Sequence, residues 1–218
     1  MKKGLTELVF IIDRSGSMRG LESDTIVGYN KMIDKQKEEP GEAYVSTVLF
    51  DDQTEVIQDR TKIDEVKPIT SKEYFVRGCT ALLDAVGGAI HHIGTVHKYA
   101  REEDRPEKTI FVITTDGMEN SSRLYTYSKV KEMVERQQSR YGWEFIFLGA
   151  NIDAIGEANR MGIRADRAAN YKHDSQGTKI SYDAVSKAVS SYRLADCGEE
   201  THMKEFLNEI EADYQNRS

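Results

Sequence analysis

Apolar residues along this chain follow two patterns that alternate from the N-terminus onward. Short unbroken apolar runs predict buried strands, whereas stripes that repeat every three or four residues predict amphipathic helices. Strands are expected at 8–12, 43–50, 54–58, 108–115, 143–148 and 168–171, and helices at 19–38, 81–99, 128–139, 153–161, 178–192 and 199–214. A single helical turn is expected at 64–66, before Pro68.

This order of elements predicts an α/β fold with a three-layer, doubly wound sheet that is mostly parallel, because strands that alternate with helices pair in parallel under helices on both faces. Residues 51–53 look like a tight turn between two strands, so one antiparallel strand is expected at an edge of the sheet. We expect one domain over 1–195. Residues 196–218 are expected to form a helical extension on or beside it, which pads the domain or docks a partner.

Composition narrows the function classes. The chain has 218 residues, a formal net charge of −7, 39% hydrophobic and 31% charged residues, and only three prolines. The negative charge argues against binding to nucleic acid or to an anionic membrane surface. No run approaches the roughly 20 apolar residues of a membrane span, and no signal peptide is visible. We therefore expect a cytoplasmic protein whose cysteines, Cys79 and Cys197, are reduced thiols, although the sequence leaves a disulfide open.

Three stretches carry oxygen-bearing side chains next to predicted strands or helices. Asp13, Ser15 and Ser17 follow the first strand, Thr80 precedes the second long helix, and Asp116 follows the strand at 108–115. The loops at the carboxyl ends of parallel strands meet at one edge of the sheet, where such folds bind ligands. Two carboxylates and three hydroxyls are hard donors that suit Mg²⁺, with Mn²⁺ close behind. A remaining coordination position is available to an incoming carboxylate.

Each of these residues also has a simpler interpretation. Asp13, Ser15 and Ser17 could form turns or caps, and Thr80 could cap the helix that follows it. Arg14 is expected to form a local salt bridge rather than to contact an acidic partner. The appearance of all three stretches in the expected context favours the metal-site interpretation.

The sequence Asp13-Arg14-Ser15-Gly16-Ser17 resembles the DxSxS signature of the von Willebrand factor type A (vWA) domain, also called the integrin I-like domain. Thr80 resembles the separate threonine of that family and Asp116-Gly117 its final aspartate. The resemblance covers roughly residues 5–192. It implies a vWA-like, Rossmann-like fold with a complete metal-ion-dependent adhesion site (MIDAS), in which Mg²⁺ or Mn²⁺ is held by these five residues.

The resemblance also implies a function without catalysis. An exposed Asp or Glu of a protein partner would complete the coordination of the cation, and that partner could be an ATPase or part of a multi-protein complex. The residues matching Ser15, Ser17 and Thr80 would ligate directly in some states, and those matching Asp13 and Asp116 often through water.

The alternative hypothesis is a Mg²⁺-dependent phosphohydrolase of the haloacid dehalogenase type, with Asp13 as the nucleophile. That chemistry needs a second carboxylate two residues later, where this chain has Ser15. It also needs a lysine, for which Lys108 and Lys129 are the nearest candidates.

The histidines give a weak signal. His91, His92 and His97 are spaced so that they lie on different faces of a helix, which predicts surface or boundary positions rather than a metal cluster. No partner for His173 is visible in the sequence.

Overall fold

The computed structural model of the protein describes residues 1–196 and 203–217. Its strands are β1 (Lys2–Asp13), β2 (Glu42–Phe50), β3 (Thr54–Lys62), β4 (Pro106–Thr115), β5 (Glu144–Gly149) and β6 (Ala168–Asn170). Its helices are α1 (Glu22–Glu38), α2 (Leu82–Tyr99), α3 (Tyr127–Tyr141), α4 (Ala154–Arg160), α5 (Ser175–Leu194) and α6 (Met203–Asn216). No helix in these ranges combines the length and the apolar character needed to cross a membrane.

The six strands form one sheet in the order β3-β2-β1-β4-β5-β6. Only the β2–β3 pair is antiparallel, and it lies at the edge of the sheet. β1 lies in the interior and pairs in parallel with β2 on one side and β4 on the other. The predicted fold class, including the antiparallel edge strand, is confirmed.

Side chains of β1 alternate between two cores because successive residues of a strand point to opposite faces. Leu8, Phe10 and Ile12 pack with residues of α1, α5 and α6. Val9 and Ile11 pack with residues of α2, α3 and α4. Helix α6 contributes Met203, Leu207 and Ile210 to the first of these cores, so its apolar face is covered by the sheet domain.

The ends of several elements differ from the sequence prediction. Helix α1 begins at Glu22 rather than at 19, because a 3₁₀ turn over Gly16–Met18 comes first. The cap of α3 is Thr126, whose side chain accepts from the backbone N–H of Lys129, and the predicted cap at Ser128 is wrong. Helix α5 begins at Ser175, three residues early, because Asp174 caps it. The predicted start of α6 at 199 lies outside the described residues.

Candidate metal centre

The first loop of the candidate site begins at the carboxyl end of β1. Asp13 is the last residue of β1, and Asp116 comes directly after the last residue of β4. Since β1 and β4 are parallel neighbours, their carboxyl ends bring the two loops together. The backbone topology therefore accounts for the approach of residues about a hundred positions apart in the sequence.

The second loop, which carries Thr80, is fastened to the first by main-chain hydrogen bonds. The N–H of Gly16 donates to the carbonyl of Gly78 at 3.2 Å, and the N–H of Arg77 donates to the carbonyl of Arg14 at 2.9 Å. Gly78 has a φ of +67°, a left-handed conformation that glycine adopts without strain. The loop can therefore turn back toward β1 before α2 begins.

Oxygen atoms from three loops meet at this edge. Ser15 Oγ lies 2.9 Å from Ser17 Oγ, and Ser17 Oγ donates to Asp116 Oδ1 at 2.6 Å. A methyl group placed on Gly117 would lie 3.0 Å from Thr80 Oγ1 and 3.3 Å from Ser17 Oγ. The structure thus brings Ser15, Ser17, Thr80 and Asp116 together around a space that the missing side chain of Gly117 leaves open.

Asp13 differs from these four residues because its carboxylate is taken up by hydrogen bonds within the protein. Its Oδ1 accepts from the backbone N–H of Ser15 at 2.6 Å, and its Oδ2 accepts from Thr115 Oγ1 at 2.5 Å. The main-chain carbonyl of Asp13 accepts from Tyr74 Oη at 2.7 Å. Asp13 therefore holds the first loop in shape, and both of its carboxylate oxygens already have protein partners.

Burial raises the pKa of both carboxylates in the absence of a cation. Desolvation raises the pKa of Asp13 to about 6, against the opposing effect of its hydrogen bonds from Thr115 and Ser15. Burial also raises the pKa of Asp116, and the hydrogen bond from Ser17 and the nearby His173 oppose that rise. A divalent cation would reverse this effect, because a positive charge stabilises the ionised form of both groups.

The residues present fit a small divalent cation. Asp116 Oδ2 is buried and accepts no hydrogen bond. Neighbouring ligands on an octahedral ion at 2.0–2.1 Å lie about 3 Å apart, close to the 2.6 Å and 2.9 Å separations of the Ser15, Ser17 and Asp116 oxygens. Within residues 1–196 and 203–217, no three His, Cys, Asp or Glu side chains form a metal-binding group by themselves. Any metal centre here therefore depends on hydroxyl oxygens.

Thr80 is positioned by a residue that the sequence analysis missed. Asn120 Oδ1 accepts from the N–H of Thr80 at 3.0 Å, and the N–H of Asn120 donates to the Thr80 carbonyl at 3.0 Å. Because Thr80 is held through its main chain, its hydroxyl is free to face the open space. It does not cap α2, which begins after Ala81 without a side-chain cap.

His173, for which the sequence shows no partner, has two close neighbours in the structure. Its Nε2 lies 2.8 Å from Asp116 Oδ2 and 3.1 Å from the main-chain carbonyl oxygen of Ser17. The hydrogen-bond geometry favours the Ser17 carbonyl, which leaves Asp116 Oδ2 close to the imidazole but without a hydrogen bond. The sequence did contain a signal, since His173 lies two residues after the predicted strand at 168–171 and so near the same edge of the sheet.

Other charged residues near the site have structural roles. Arg14 is fully buried and pairs with Asp51 at 2.9 Å, as the local salt-bridge prediction required. Asp51 also pairs with Arg77 and accepts from the backbone of Gln53, so it is a turn residue in an ion-pair cluster. Burial alone would raise the pKa of Asp51. The hydrogen bonds from Arg77 and from the backbone of Gln53, together with the charge of Arg14, outweigh that effect and lower the pKa.

The remaining predictions concern histidines and cysteines. His91 and His92 are exposed, and His97 is partly buried against Trp143, which confirms surface and boundary positions. Cys79 is free and exposed, and Cys197 lies outside the described residues.

Neither lysine of the phosphohydrolase alternative pairs with Asp13. Lys108 pairs in register with Thr6, far down β1 from Asp13, and its Nζ donates to carbonyls at the end of α5. Lys129 lies on the exposed face of α3 and pairs with Glu132.

Comparison with known proteins was made at the levels of sequence and structure. No protein-family model matches the sequence, and no curated protein is significantly similar to it. Many solved structures match the fold. Three are a von Willebrand factor type A protein from Catenulispora acidiphila (16% identity, TM-score 0.62), proximal thread matrix protein 1 from the mussel byssus with a zinc-occupied MIDAS motif (14%, 0.57), and the ArnB paralog VWA2 from Sulfolobus acidocaldarius (14%, 0.55).

These alignments cover 85%, 85% and 84% of this chain but only 43%, 46% and 44% of the other chains. The chain therefore spans less than half the length of these neighbours. At such low identities the similarity establishes the fold, which is that of vWA domains.

Proposed function

We propose that this protein is a recognition module that binds a divalent cation, Mg²⁺ or Mn²⁺, and uses it to bind a carboxylate of a protein partner. The observation that carries the proposal is the convergence of hydroxyl and carboxylate oxygens from three loops beside the open space at Gly117. The buried Oδ2 of Asp116 supports it, because this oxygen accepts no hydrogen bond and has only the imidazole of His173 beside it, at 2.8 Å, so a cation would satisfy it.

The residues of the centre would have two different roles. Ser15, Ser17, Thr80 and Asp116 would hold the cation, and Asp13 would fix the first loop and contact the cation through water. When bound, the cation supplies a Lewis-acid position that an Asp or Glu of the partner can fill. Three of the four direct ligands are neutral hydroxyls and only Asp116 brings a negative charge to the cation directly, which favours an anionic partner group.

Exposed apolar side chains around the site support a protein partner over a small anion. Met118 and Leu124, in the loop after β4, are 65% and 81% exposed, and Phe75, in the loop before α2, is 42% exposed. Apolar groups that remain exposed beside a polar site are typical of protein-binding surfaces. We infer that the partner combines an acidic residue with apolar contacts, and an ATPase or a multi-protein complex could supply it.

The structural neighbours support the same proposal. One of them is a protein with a zinc-occupied MIDAS motif, and another, with a TM-score of 0.62 and 10% identity, is the pilus adhesin SpaC from Lactobacillus rhamnosus GG. We carry cation binding and protein recognition over to this chain as proposals.

The proposal also holds that the chain is not an enzyme. The phosphohydrolase alternative requires a lysine that acts beside Asp13, and the two candidates pair with other groups. We expect no Mg²⁺-dependent turnover of p-nitrophenyl phosphate. Turnover that Asp13→Asn abolishes would restore the alternative.

Cation binding is tested first, by titration calorimetry of MgCl₂ and MnCl₂ into chelator-stripped protein. The wild type should bind one cation, and Asp116→Ala should bind at least about tenfold more weakly, because it removes a charged ligand. Equal heats in the two proteins would contradict the proposed centre.

Partner recognition is tested separately, by affinity capture from lysate on immobilised wild-type protein and on Asp116→Ala. Proteins that bind through the cation should be released by chelator and should not be retained by the variant. The captured partner should then lose binding when its exposed Asp or Glu at the interface is changed to Asn or Gln. Capture that persists in chelator contradicts a cation-dependent mode of recognition.

A further inference from the structure

The imidazole of His173 lies among the oxygen atoms of the candidate centre. Its Nε2 is 2.8 Å from Asp116 Oδ2, and its side chain is 23% exposed, whereas His91 and His92 lie at exposed positions. Two ligands of one small cation lie about 3 Å apart, so these two atoms have the spacing of neighbouring ligands.

The segment that carries His173 is fixed on both sides. The N–H of Tyr171 donates to the carbonyl of Gly149 at 3.0 Å. Asp174 caps α5 by accepting from the N–H of Gly177 at 2.8 Å. Arg217, at the end of α6, also donates to Asp174, at 2.6 Å. The imidazole is therefore held at the site by main-chain and capping interactions that do not involve a cation.

We infer that His173 is a nitrogen ligand of the cation and that it shifts this centre toward Zn²⁺ relative to Mg²⁺. The inference rests on the proposed function, since it concerns the same cation. Imidazole is a good ligand for Zn²⁺, whereas Mg²⁺ prefers oxygen donors and water. Ligation needs the neutral ring with its proton on Nδ1, so Nε2 would give up its hydrogen bond to the carbonyl of Ser17 when the cation binds.

A purely structural role for His173 has different consequences. If the ring only holds the Ser17 loop, its removal should weaken Zn²⁺ and Mg²⁺ by similar factors. If the ring only occupies the space of the cation, its removal should strengthen both. A ligand role alone predicts a loss that depends on the metal.

The experiment compares ZnCl₂ and MgCl₂ titrations of the full chain for wild type, His173→Ala and His91→Ala. His91 is an exposed histidine on α2 and controls for adventitious Zn²⁺ binding. We expect His173→Ala to weaken Zn²⁺ binding by about tenfold or more, the scale of losing a ligand interaction, while Mg²⁺ affinity changes by less than about threefold. His91→Ala should match the wild type for the one-to-one site.

A second readout reports ligation directly. In protein labelled with ¹⁵N-histidine, the Nε2 resonance that is missing in His173→Ala should shift on addition of Zn²⁺. An unshifted resonance, or equal changes in affinity for both cations, overturns the inference while leaving cation binding intact. Absence of binding of either cation to the wild type contradicts the proposed function itself.

Discussion

Changing Asp13 to asparagine tests whether the carboxylate behind the site destabilises the cation-free protein. The pKa of Asp13 is raised by burial from 3.8 to about 6. Each pKa unit corresponds to about 1.4 kcal/mol, so ionised Asp13 lowers the stability of the cation-free fold by about 3 kcal/mol at neutral pH. Asparagine has nearly the same shape and no charge, so it should remove this loss.

The hydrogen bonds of Asp13 can be kept by asparagine. The amide oxygen can accept from the N–H of Ser15, as Asp13 Oδ1 does at 2.6 Å. The amide nitrogen can donate to Thr115 Oγ1, whose hydroxyl can then donate to the carbonyl of Gly117, 3.2 Å away. We therefore expect the variant to fold and to be more stable than the wild type in chelator at neutral pH.

The pH dependence of stability shows whether Asp13 stabilises or destabilises the cation-free fold. The folded chain holds the Asp13 proton up to about pH 6 and the unfolded chain only to about pH 4. Wild-type stability in chelator should therefore fall as the pH rises through this window and then level off. Urea unfolding at about pH 5 and about pH 7.5 should show this contribution in the wild type and not in Asp13→Asn.

The control is Asp183→Asn, which changes an exposed carboxylate on α5 and should follow the wild type. Parallel stability profiles for wild type and Asp13→Asn would refute the reasoning. Saturating MgCl₂ at neutral pH should stabilise the wild type, by about 2.7 kcal/mol at a hundred times the Kd. It should leave Asp13→Asn much less affected.

Three further outcomes follow from the contacts at the site. The double variant Ser15→Ala/Ser17→Ala should lower the affinity for Mg²⁺ by about tenfold or more in calorimetry. Its Tm should be nearly unchanged, because both residues lie in a loop, and a large drop in Tm would show that the hydroxyls are structural. Gly117→Ala should weaken cation binding in calorimetry, since its methyl group would lie 3.0 Å and 3.3 Å from two hydroxyl oxygens and displace them. Gly88→Ala, with nothing within 4 Å, should bind normally. Arg14→Met should lower the free energy of unfolding, measured in urea, by about 3 kcal/mol or more. The reason is that fully buried Asp51 would keep only the half-exposed Arg77 as an ion-pair partner. A loss below about 1 kcal/mol would contradict the pairing of Arg14 with Asp51.

Much of the architecture could be predicted because it depends on local patterns. The apolar run before Asp13 and the run ending at Thr115 specify buried strands, and the alternation with amphipathic stripes specifies a mostly parallel sheet. Element ends were less predictable. The cap of α3 depends on which of several nearby polar residues, such as Thr126 and Ser128, meets a free backbone N–H, whereas α1 begins without a side-chain cap after a 3₁₀ turn.

The sequence by itself also determined which residues could hold a hard cation, because hydroxyl and carboxylate types at strand ends are visible without coordinates. Only the tertiary structure decided how they are used. Asp13 faces Thr115 and the backbone of Ser15, while Asp116 keeps one oxygen that accepts no hydrogen bond. His173 reaches the centre because β6 lies in the same parallel sheet, and such contacts between distant segments depend on strand order, which no local pattern specifies.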